Sequence, residues 1–430
     1  MKTTISAIKG GVTAAQGFKA AGEHVGLKRK RKDLAILMSD LPCQYAGTFT
    51  TSTAKAAPVL WNKEILEKGA PVKALVVNSG NANSCTGAQG FVHTRQMAEA
   101  VAEHTGCQSE EVLVASTGII GVPLPIDDVT SGIAIVAPLL GYSKEHGSSA
   151  AEAIMTTDSF IKEAALQFEI DGKLVTLGAM AKGSGMLHPN MATMLSFITT
   201  DLSISPALLQ KALSASVCGT YNMISVDADT STNDMVAILA NGAAGNQTID
   251  SENDDYCLFV AALNELNEHL AKSIASDGEG ATKLIEVEVK GAASLEDART
   301  LARAVVSSNL VKTAFFASDP NWGRIVAAMG ATGIGFDTGV LSIEISGAGL
   351  SSYLLKDGNP CWIEEGKAAC ILAAPVVKTT VFIGGAAPDS EIDHDARAWG
   401  CDLTHEYIQL TSRYRSSHVV TIPAKSEVVA

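Results

Sequence analysis

The sequence predicts a layered α/β (α+β) sandwich in which helices cover sheets. Short apolar runs with strand character alternate with helical patterns along the whole 430-residue chain, and neither an internal repeat nor a low-complexity linker interrupts them. The composition, 47% hydrophobic and 18% charged with 38 glycines, is typical of a folded protein with many tight turns. Because the length exceeds what one hydrophobic core usually serves, we expect two domains or one large sandwich.

The first half of the chain shows a strand–helix–strand pattern. Residues 72–80 (VKALVVNSG) and 110–118 (EEVLVASTG) are predicted strands that end in Gly turns, and the helical spacing between them ends at Gly106. Further on, Ser205 and Pro206 are the residue types preferred at the N-cap and at the first position of a helix.

The second half continues the alternation. Residues 282–291 (TKLIEVEVKG) alternate between apolar and charged side chains, which predicts a half-buried strand. Ser294 and Asp297 have the spacing of a capping box and predict the start of a helix. The polar segment 245–256 is compatible with a domain boundary and equally with a loop before a helix.

The charge balance argues against nucleic acid or an anionic membrane as the main partner, since the net charge is −14. One basic cluster, Lys28 to Lys32, comes before an apolar run and is predicted to be a solvated turn ahead of a strand. The eight cysteines are scattered without a CxxC pair, so neither a metal site nor a redox motif is expected. With no signal-peptide pattern and no bilayer-length apolar run, we expect a cytoplasmic protein.

Motifs for common cofactors are absent from the sequence. There is no GxGxxG after a strand, no GxxxxGK[ST], no HExxH and no GxSxG. We therefore predict no cofactor and no metal.

Residues 183–197 (GSGMLHPNMATMLSF) place the hydroxyl of Thr193 directly after Ala192, between a Gly-rich turn and an apolar run. A Thr hydroxyl is a poor nucleophile unless a base lies within hydrogen-bond reach, and His188 beside Pro is more often a packing residue than a base. Cleavage before Thr193 would free an α-amine with a pKa of roughly 7.7 to 8.0, which can act as the base. On these residues alone, an ordinary Thr in a strand explains the pattern as well.

Thr117 and Gly118 end the second predicted strand of the first half. A Gly there allows close backbone approach, and a hydroxyl beside a backbone N–H can form a two-donor oxyanion hole. An ordinary strand-to-loop turn is the alternative.

Long stretches spread in order over nearly the whole chain resemble the ornithine acetyltransferases, the glutamate N-acetyltransferases of the cyclic arginine pathway. NMATML is similar to the self-cleavage site of that family and STG to its oxyanion motif. The matching stretches are GFKAAGEHVGLKRKRKDLAILMSD, KAAPVL, VVNSGNANSCTGAQG, VASTGIIG, IMTTDS, KGSGMLHPNMATML, SVDADTSTND, LVKTAFFASDPNWGRI and AWGCDLTHEY.

The resemblance implies a two-domain α/β sandwich that cleaves itself between Ala192 and Thr193. The products would be an α chain of residues 1–192 and a β chain of residues 193–430, in which 417–430 is an appended tail. Thr193 would be the nucleophile and, through its amine, the base, while Thr117 and Gly118 would stabilise the oxyanion. The implied substrate-binding residues are Thr156, Lys182, Thr193, Glu279 and, at the divergent C-terminus, Ser416.

The implied reaction is a ping-pong transfer of acetyl from N2-acetyl-L-ornithine to L-glutamate through an acetyl-Thr intermediate. Some members of the family also accept acetyl-CoA, which would be a co-substrate and not a bound cofactor. The usual assembly of the family is a heterotetramer of two α and two β chains.

The chain departs from the family pattern in two regions. Ala228 and Ala317 stand where the family usually has Gly, which matters only if the backbone there needs a positive φ. Near the C-terminus, Thr411 stands at the position of an Asn and Ser416 at that of a Thr, and the chain continues to Ala430. Thr lacks the paired donor and acceptor of a carboxamide, so substrate choice is the property most affected.

Two other functions are compatible with the motifs. An amidohydrolase or aminopeptidase of the N-terminal-nucleophile type would use water as the acceptor. A non-catalytic paralogue would bind acetylated amino acids without being cleaved.

Overall fold

The computed structural model describes residues 4–188, 194–384 and 394–412. Within these ranges the chain forms sixteen strands: β1 (Ser6–Ile8), β2 (Phe18–Glu23), β3 (Leu34–Phe49), β4 (Val72–Asn81), β5 (Val112–Ile119), β6 (Lys162–Ile170), β7 (Lys173–Lys182), β8 (Leu195–Thr200), β9 (Ile224–Ser225), β10 (Met235–Ala240), β11 (Leu284–Ala292), β12 (Ser342–Gly347), β13 (Leu350–Lys356), β14 (Asn359–Pro360), β15 (Val376–Phe382) and β16 (His394–Cys401).

The α-helices of the same ranges are α1 (Ala57–Lys68), α2 (Gly87–Thr105), α3 (Ile126–Val136), α4 (Lys144–Ala153), α5 (Pro206–Gly219), α6 (Asp254–Ser276), α7 (Leu295–Ser307), α8 (Asn309–Phe316), α9 (Trp322–Gly330), α10 (Glu365–Leu372) and α11 (His405–Ser412). Short 3-10 helices cover Ser109–Glu111, Ala137–Leu139 and Tyr221–Met223.

The strands form two sheets. The first has the order β1-β6-β7-β8-β10-β3-β4-β5, with β2 paired to β3, and the second has the order β14-β13-β12-β15-β11-β16-β9. In the first sheet, β4 and β5 are parallel, as are β8 and β10, whereas β7 and β8 are antiparallel. The predicted chain division at 192/193 therefore falls between β7 and β8, two neighbours of one sheet, and it stays a prediction.

Helix α6 links the two sheets. It contacts β6 and β7 of the first sheet and β11 and β16 of the second, and its apolar face (Phe259, Leu263 and Leu266) is buried in one continuous cluster. Asn253 caps its start by accepting the Tyr256 N–H. The polar segment 245–256 is thus a loop leading into a helix. The expected helix-on-sheet layering is confirmed.

Several predicted element ends are present in the structure. Helix α2 ends at Thr105, and Gly106 adopts the left-handed φ of 76° that such a C-cap requires. Ser294 caps α7 by accepting the Asp297 N–H at 3.0 Å. Ser205 occupies the N-cap position of α5, but its side chain makes no capping hydrogen bond.

The prediction that Lys28 to Lys32 form a solvated turn was wrong for part of the cluster. Lys28 is 7% exposed, and its Nζ donates to the Met155 carbonyl at 2.8 Å. Arg31 donates to the Asp158 carbonyl at 2.9 Å. Burial lowers the pKa of Lys28 to about 8. The basic side chains satisfy carbonyls of a loop more than 120 residues away in sequence, which a local pattern cannot reveal.

The two Ala-for-Gly positions differ in backbone conformation. Ala228 has a φ of 68°, in the left-handed region that penalises a Cβ. Ala317 follows α8 with a φ of −75° and a ψ of −1°, which any residue adopts. Only the first departure therefore carries backbone strain.

We predict that Ala228→Gly stabilises the protein by about 0.5–1 kcal/mol, because relief of the left-handed strain exceeds the added entropy of the unfolded Gly chain. Ala317→Gly is the control and should destabilise by a similar amount, since its backbone is helical. Urea unfolding of both variants measures the difference. A loss of stability in Ala228→Gly would contradict the strain argument.

Candidate active site

A cavity of about 390 Å³ brings together residues from distant parts of the chain. Five of the predicted site residues line it: Thr117, Gly118, Thr156, Lys182 and Glu279. The other lining residues are Ala82, Ile119, Ile120, Thr157, Gly185, Met186, Asp227, Asp229, Ser231, Asn233, Tyr407 and Thr411.

Thr117 and Gly118 enter the cavity from the end of β5. Gly118 has a φ of 135°, and a Cβ at this position would lie 2.3 Å from the Gly80 carbonyl carbon on β4. The register of the β4–β5 pair also shifts at Gly80. Gly118 is thus required by the close approach of the two strands.

Lys182, the last residue of β7, provides the cation of the cavity. It is 2% exposed, and its Nζ donates to the Thr156 hydroxyl at 2.7 Å. Burial lowers the pKa of Lys182, whereas the carboxylates of Asp158 and Glu279 oppose that shift. An ammonium with donors to spare in a dry site is well suited to bind a carboxylate.

Glu279 provides a carboxyl group of the cavity. It is 9% exposed, and burial raises its pKa; Asp227 adds to the rise while Lys182 opposes it. A Cβ at Gly185 would lie 2.4 Å from the Glu279 carboxyl carbon, so Gly185 makes room for this side chain. A cation and a carboxyl therefore line the same cavity.

A buried ion network supports these residues. Lys162 Nζ lies 2.8 Å from Asp158 Oδ1 and 2.5 Å from Asp277 Oδ2. Asp158 also accepts the N–H groups of Gly183 (2.7 Å) and Thr156 (2.9 Å). Burial acts to raise the pKa of Asp158, but the Lys182 and Lys162 ammonium groups hold it below its usual range.

The sequence analysis did not identify this network. Asp158 lies in the quoted motif IMTTDS, which was a signal that this carboxylate had a role. Lys162 follows Asp158 by only four residues, but no local pattern indicated its second partner, Asp277, which is 115 residues away.

The predicted cleavage site, Ala192 and Thr193, lies outside the described residues, but both flanks of it are anchored. Upstream, the Leu187 carbonyl accepts the Val226 N–H at 2.8 Å. Downstream, the Met194 N–H donates to Asp234 Oδ1 at 3.1 Å. Both anchors belong to residues 225–235, which also border the cavity.

A model of the ArgJ family matches residues 19–416 of this chain. The chain belongs to the ArgJ family. It is 50% identical over 412 residues to the arginine biosynthesis bifunctional protein ArgJ of Symbiobacterium thermophilum, covering 95% of this chain and 99% of that protein. The ArgJ protein of Thermotoga neapolitana is 50% identical over 402 residues, covering 93% and 99% of the two chains. The resemblance predicted from the motifs is confirmed.

Solved structures of the ArgJ family are also similar to this chain. One is the Bacillus halodurans ArgJ protein, with 38% identity and a TM-score of 0.42, covering 45% of this chain and 100% of that one. Another is the Mycobacterium tuberculosis ornithine acetyltransferase complexed with ornithine, with 41% identity and a TM-score of 0.40, covering 43% and 98%. As an ArgJ-family member, the protein is an enzyme of arginine biosynthesis.

Helix α11 carries Thr411, one of the positions at which the sequence analysis predicts a departure from the family pattern. Tyr407 and Thr411 line the cavity from this helix, and the Thr411 hydroxyl donates to the Tyr407 carbonyl at 2.8 Å. The only donor of that side chain is thus engaged by its own helix, where an Asn would offer a free carboxamide. Ser416 lies outside the described residues.

Metal-ligand clusters and membrane-spanning helices were both searched for among the described residues. Across residues 4–188, 194–384 and 394–412, no group of His, Cys, Asp and Glu side chains could hold a metal ion. In the same ranges no helix is both long and apolar enough to span a membrane.

We predict that Lys162→Met destabilises the enzyme by about 3–5 kcal/mol, because it leaves the buried Asp277 without its ion-pair partner and Asp158 with only the Lys182 ammonium nearby. Lys211→Met, which breaks the exposed Lys211–Glu252 pair, is the matched control and should leave the unfolding midpoint unchanged. Urea unfolding measures both. Equal midpoints for the two variants would show that the buried network contributes nothing to stability.

Proposed function

We propose that this enzyme is a glutamate N-acetyltransferase that moves the acetyl group of N2-acetyl-L-ornithine to L-glutamate. The observation that carries the proposal is the cavity, in which Thr117, Gly118, Lys182 and Glu279 meet beside the anchored flanks of position 193. Membership of the ArgJ family, whose relatives are named for arginine biosynthesis, supports the same reaction.

The enzyme first activates itself. The Thr193 hydroxyl attacks the Ala192 carbonyl carbon, the peptide C–N bond breaks, and an ester joins the two parts. Water then hydrolyses that ester, which releases the Ala192 carboxylate and regenerates the Thr193 hydroxyl beside a free α-amine. The two products are an α chain of residues 1–192 and a β chain of residues 193–430.

Acetyl transfer then proceeds in two half-reactions. The α-amine of Thr193 takes the hydroxyl proton while the oxygen attacks the acetyl carbon, and the same proton passes to the departing nitrogen of ornithine. The amine of glutamate next attacks the acetyl ester and regenerates the hydroxyl. Both tetrahedral intermediates carry one oxyanion, for which the Thr117 hydroxyl and the Gly118 N–H are the donors.

In the proposed substrate complex, Lys182 and Glu279 of the cavity bind the charged groups of the substrate. The Lys182 ammonium, oriented by the Thr156 hydroxyl, holds the α-carboxylate that both amino acids share. Glu279 faces the side-chain ammonium of ornithine. The divergent C-terminal segment, with Thr411 on α11 and Ser416 beyond it, tunes which side chain is accepted.

The assembly, the cofactor use and the cellular location of the enzyme are proposed from its family. We propose a heterotetramer of two α and two β chains, with no resident cofactor and with acetyl-CoA as a candidate second donor. A cytoplasmic location agrees with the eight cysteines, all of which are free thiols in the structure.

We predict that Thr193→Ala leaves one full-length polypeptide without acetyltransferase activity, whereas the wild type divides at the 192–193 bond and its β chain gains an acetyl group from N-acetylornithine. Intact-mass analysis measures both events. Cleavage of Thr193→Ala at the same bond would overturn the mechanism. Release of acetate without glutamate would favour the amidohydrolase, and an uncut wild type would favour the binding protein.

We predict that Thr117→Ala lowers kcat roughly a hundredfold, the usual effect of losing one oxyanion donor. Thr379→Ala is the control, since Thr379 is an equally buried strand Thr in the second sheet whose hydroxyl has no hydrogen-bond partner among the described residues. Steady-state kinetics of the cleaved enzymes measure the ratio. An unchanged kcat in Thr117→Ala would remove this residue from the oxyanion hole.

A further inference from the structure

The loop of residues 155–158, between α4 and β6, is held at both ends by basic side chains. Lys28 Nζ donates to the Met155 carbonyl at 2.8 Å, and Arg31 donates to the Asp158 carbonyl at 2.9 Å. The two residues between these carbonyls line the cavity, whereas Lys28 and Arg31 do not. The basic side chains therefore fix a part of the cavity wall from outside the cavity.

The peptide group that joins Met155 to Thr156 is bound on both sides. Its carbonyl accepts a hydrogen bond from the Lys28 ammonium, and its N–H, which belongs to Thr156, donates to Asp158 Oδ2 at 2.9 Å. Because a peptide group is planar, the two hydrogen bonds together fix its orientation. The Thr156 hydroxyl in turn accepts a hydrogen bond from Lys182 Nζ at 2.7 Å. The placement of the Lys182 ammonium thus depends on the peptide group that Lys28 binds.

The segment that carries Lys28 is itself fixed by Asp33. Asp33 is buried, and its carboxylate accepts the N–H groups of Val25 (2.7 Å) and Lys28 (2.8 Å). Lys28 also packs against β4, since a Cβ at Gly80 would lie 3.1 Å from Lys28 Cγ. A bound backbone and a packed aliphatic stem therefore direct the Lys28 ammonium toward its carbonyl partner.

We infer that Lys28 and Arg31 are positioning residues for substrate binding: they hold the loop of residues 155–158 so that the Thr156 hydroxyl orients the Lys182 ammonium toward the carboxylate of an amino acid. The inference rests on the proposed function, in which Lys182 binds that carboxylate. Since neither basic residue lines the cavity, both act on the affinity for the substrate and not on the steps of acetyl transfer.

A second buried lysine provides a matched control for Lys28→Met. This variant removes the ammonium but keeps the Cβ and Cγ that pack against Gly80. Lys283 is 8% exposed, and its Nζ donates to the carbonyls of Phe315 (2.9 Å) and Leu372 (2.7 Å). None of these three residues lines the cavity. Lys283→Met therefore tests the loss of a buried ammonium that binds backbone carbonyls elsewhere.

The experiment compares the purified variants with the wild type. Titration calorimetry gives the Kd of ornithine, steady-state kinetics give kcat at saturating substrate, and thermal unfolding gives the stability. We expect Lys28→Met to raise Kd about tenfold, as the weakening of one hydrogen bond to a charged group does, and to leave kcat unchanged. Arg31→Met should also raise Kd, whereas Arg29→Met, at an exposed position of the same segment, should not. Lys283→Met should lower the unfolding temperature alone.

A double-mutant cycle separates positioning from a simple effect of charge. Thr156→Val removes the hydroxyl through which Lys28 is inferred to act. Lys28→Met should therefore weaken ornithine binding much less in the Thr156→Val background than in the wild type. Equal weakening in both backgrounds would overturn the inference, because Lys28 would then act on the substrate through its charge and not through the loop.

Two other results would also overturn the inference: an unchanged Kd in Lys28→Met, or the same rise in Kd in Lys28→Met and Lys283→Met. If Lys28→Met does not fold, Arg31→Met decides, and a Kd equal to that of Arg29→Met would count against the inference. A wild type that neither cleaves nor transfers acetyl would instead refute the proposed function.

Discussion

One ammonium group shared by two buried carboxylates is the interaction on which the cavity depends. Lys162, at the start of β6, lies between Asp158 and Asp277, the residue that directly follows α6. Since the three charges are removed from water, losing any one of them leaves the others buried with less compensating charge, which is costly. The network thereby fixes the first sheet against the end of α6. Lys182 ends β7 of that sheet, Thr156 lies in the loop before β6, and Glu279 lies in the loop after α6.

The cavity separates charge of opposite sign in a dry environment. Burial drives both Lys182 and Glu279 toward their neutral forms, and the attraction between them opposes that drift. A bound zwitterionic amino acid would place an opposite charge next to Lys182 and next to Glu279. Each substrate charge would then compensate for the water that burial removed from these side chains. The same low dielectric strengthens any oxyanion donor at Thr117 and Gly118.

Residues 225–235 hold the chain on both sides of the predicted cleavage position by hydrogen bonds. Asp227 accepts the N–H groups of Met186 and Leu187 upstream, while Asp234 accepts that of Met194 downstream. Ala228 adopts a left-handed φ between the two carboxylates. Strain of this kind is commonly retained where a segment must keep a defined shape for chemistry. Two backbone anchors and one strained residue thus fix the described chain on either side of residues 189–193.

The sequence by itself determined the family, the layered fold and the cavity residues that lie in contiguous motifs, such as Thr117, Gly118 and Lys182, because each motif encodes a local turn or strand end. It did not reveal the burial of Lys28, the pairing of Lys162 with Asp277, or the contact of Asp234 with Met194. Those pairs are separated by 40 to 127 residues along the chain. Only the packing of helices on sheets brings such side chains together and excludes water from them. The tertiary structure therefore decided their hydrogen-bond partners and their pKa values.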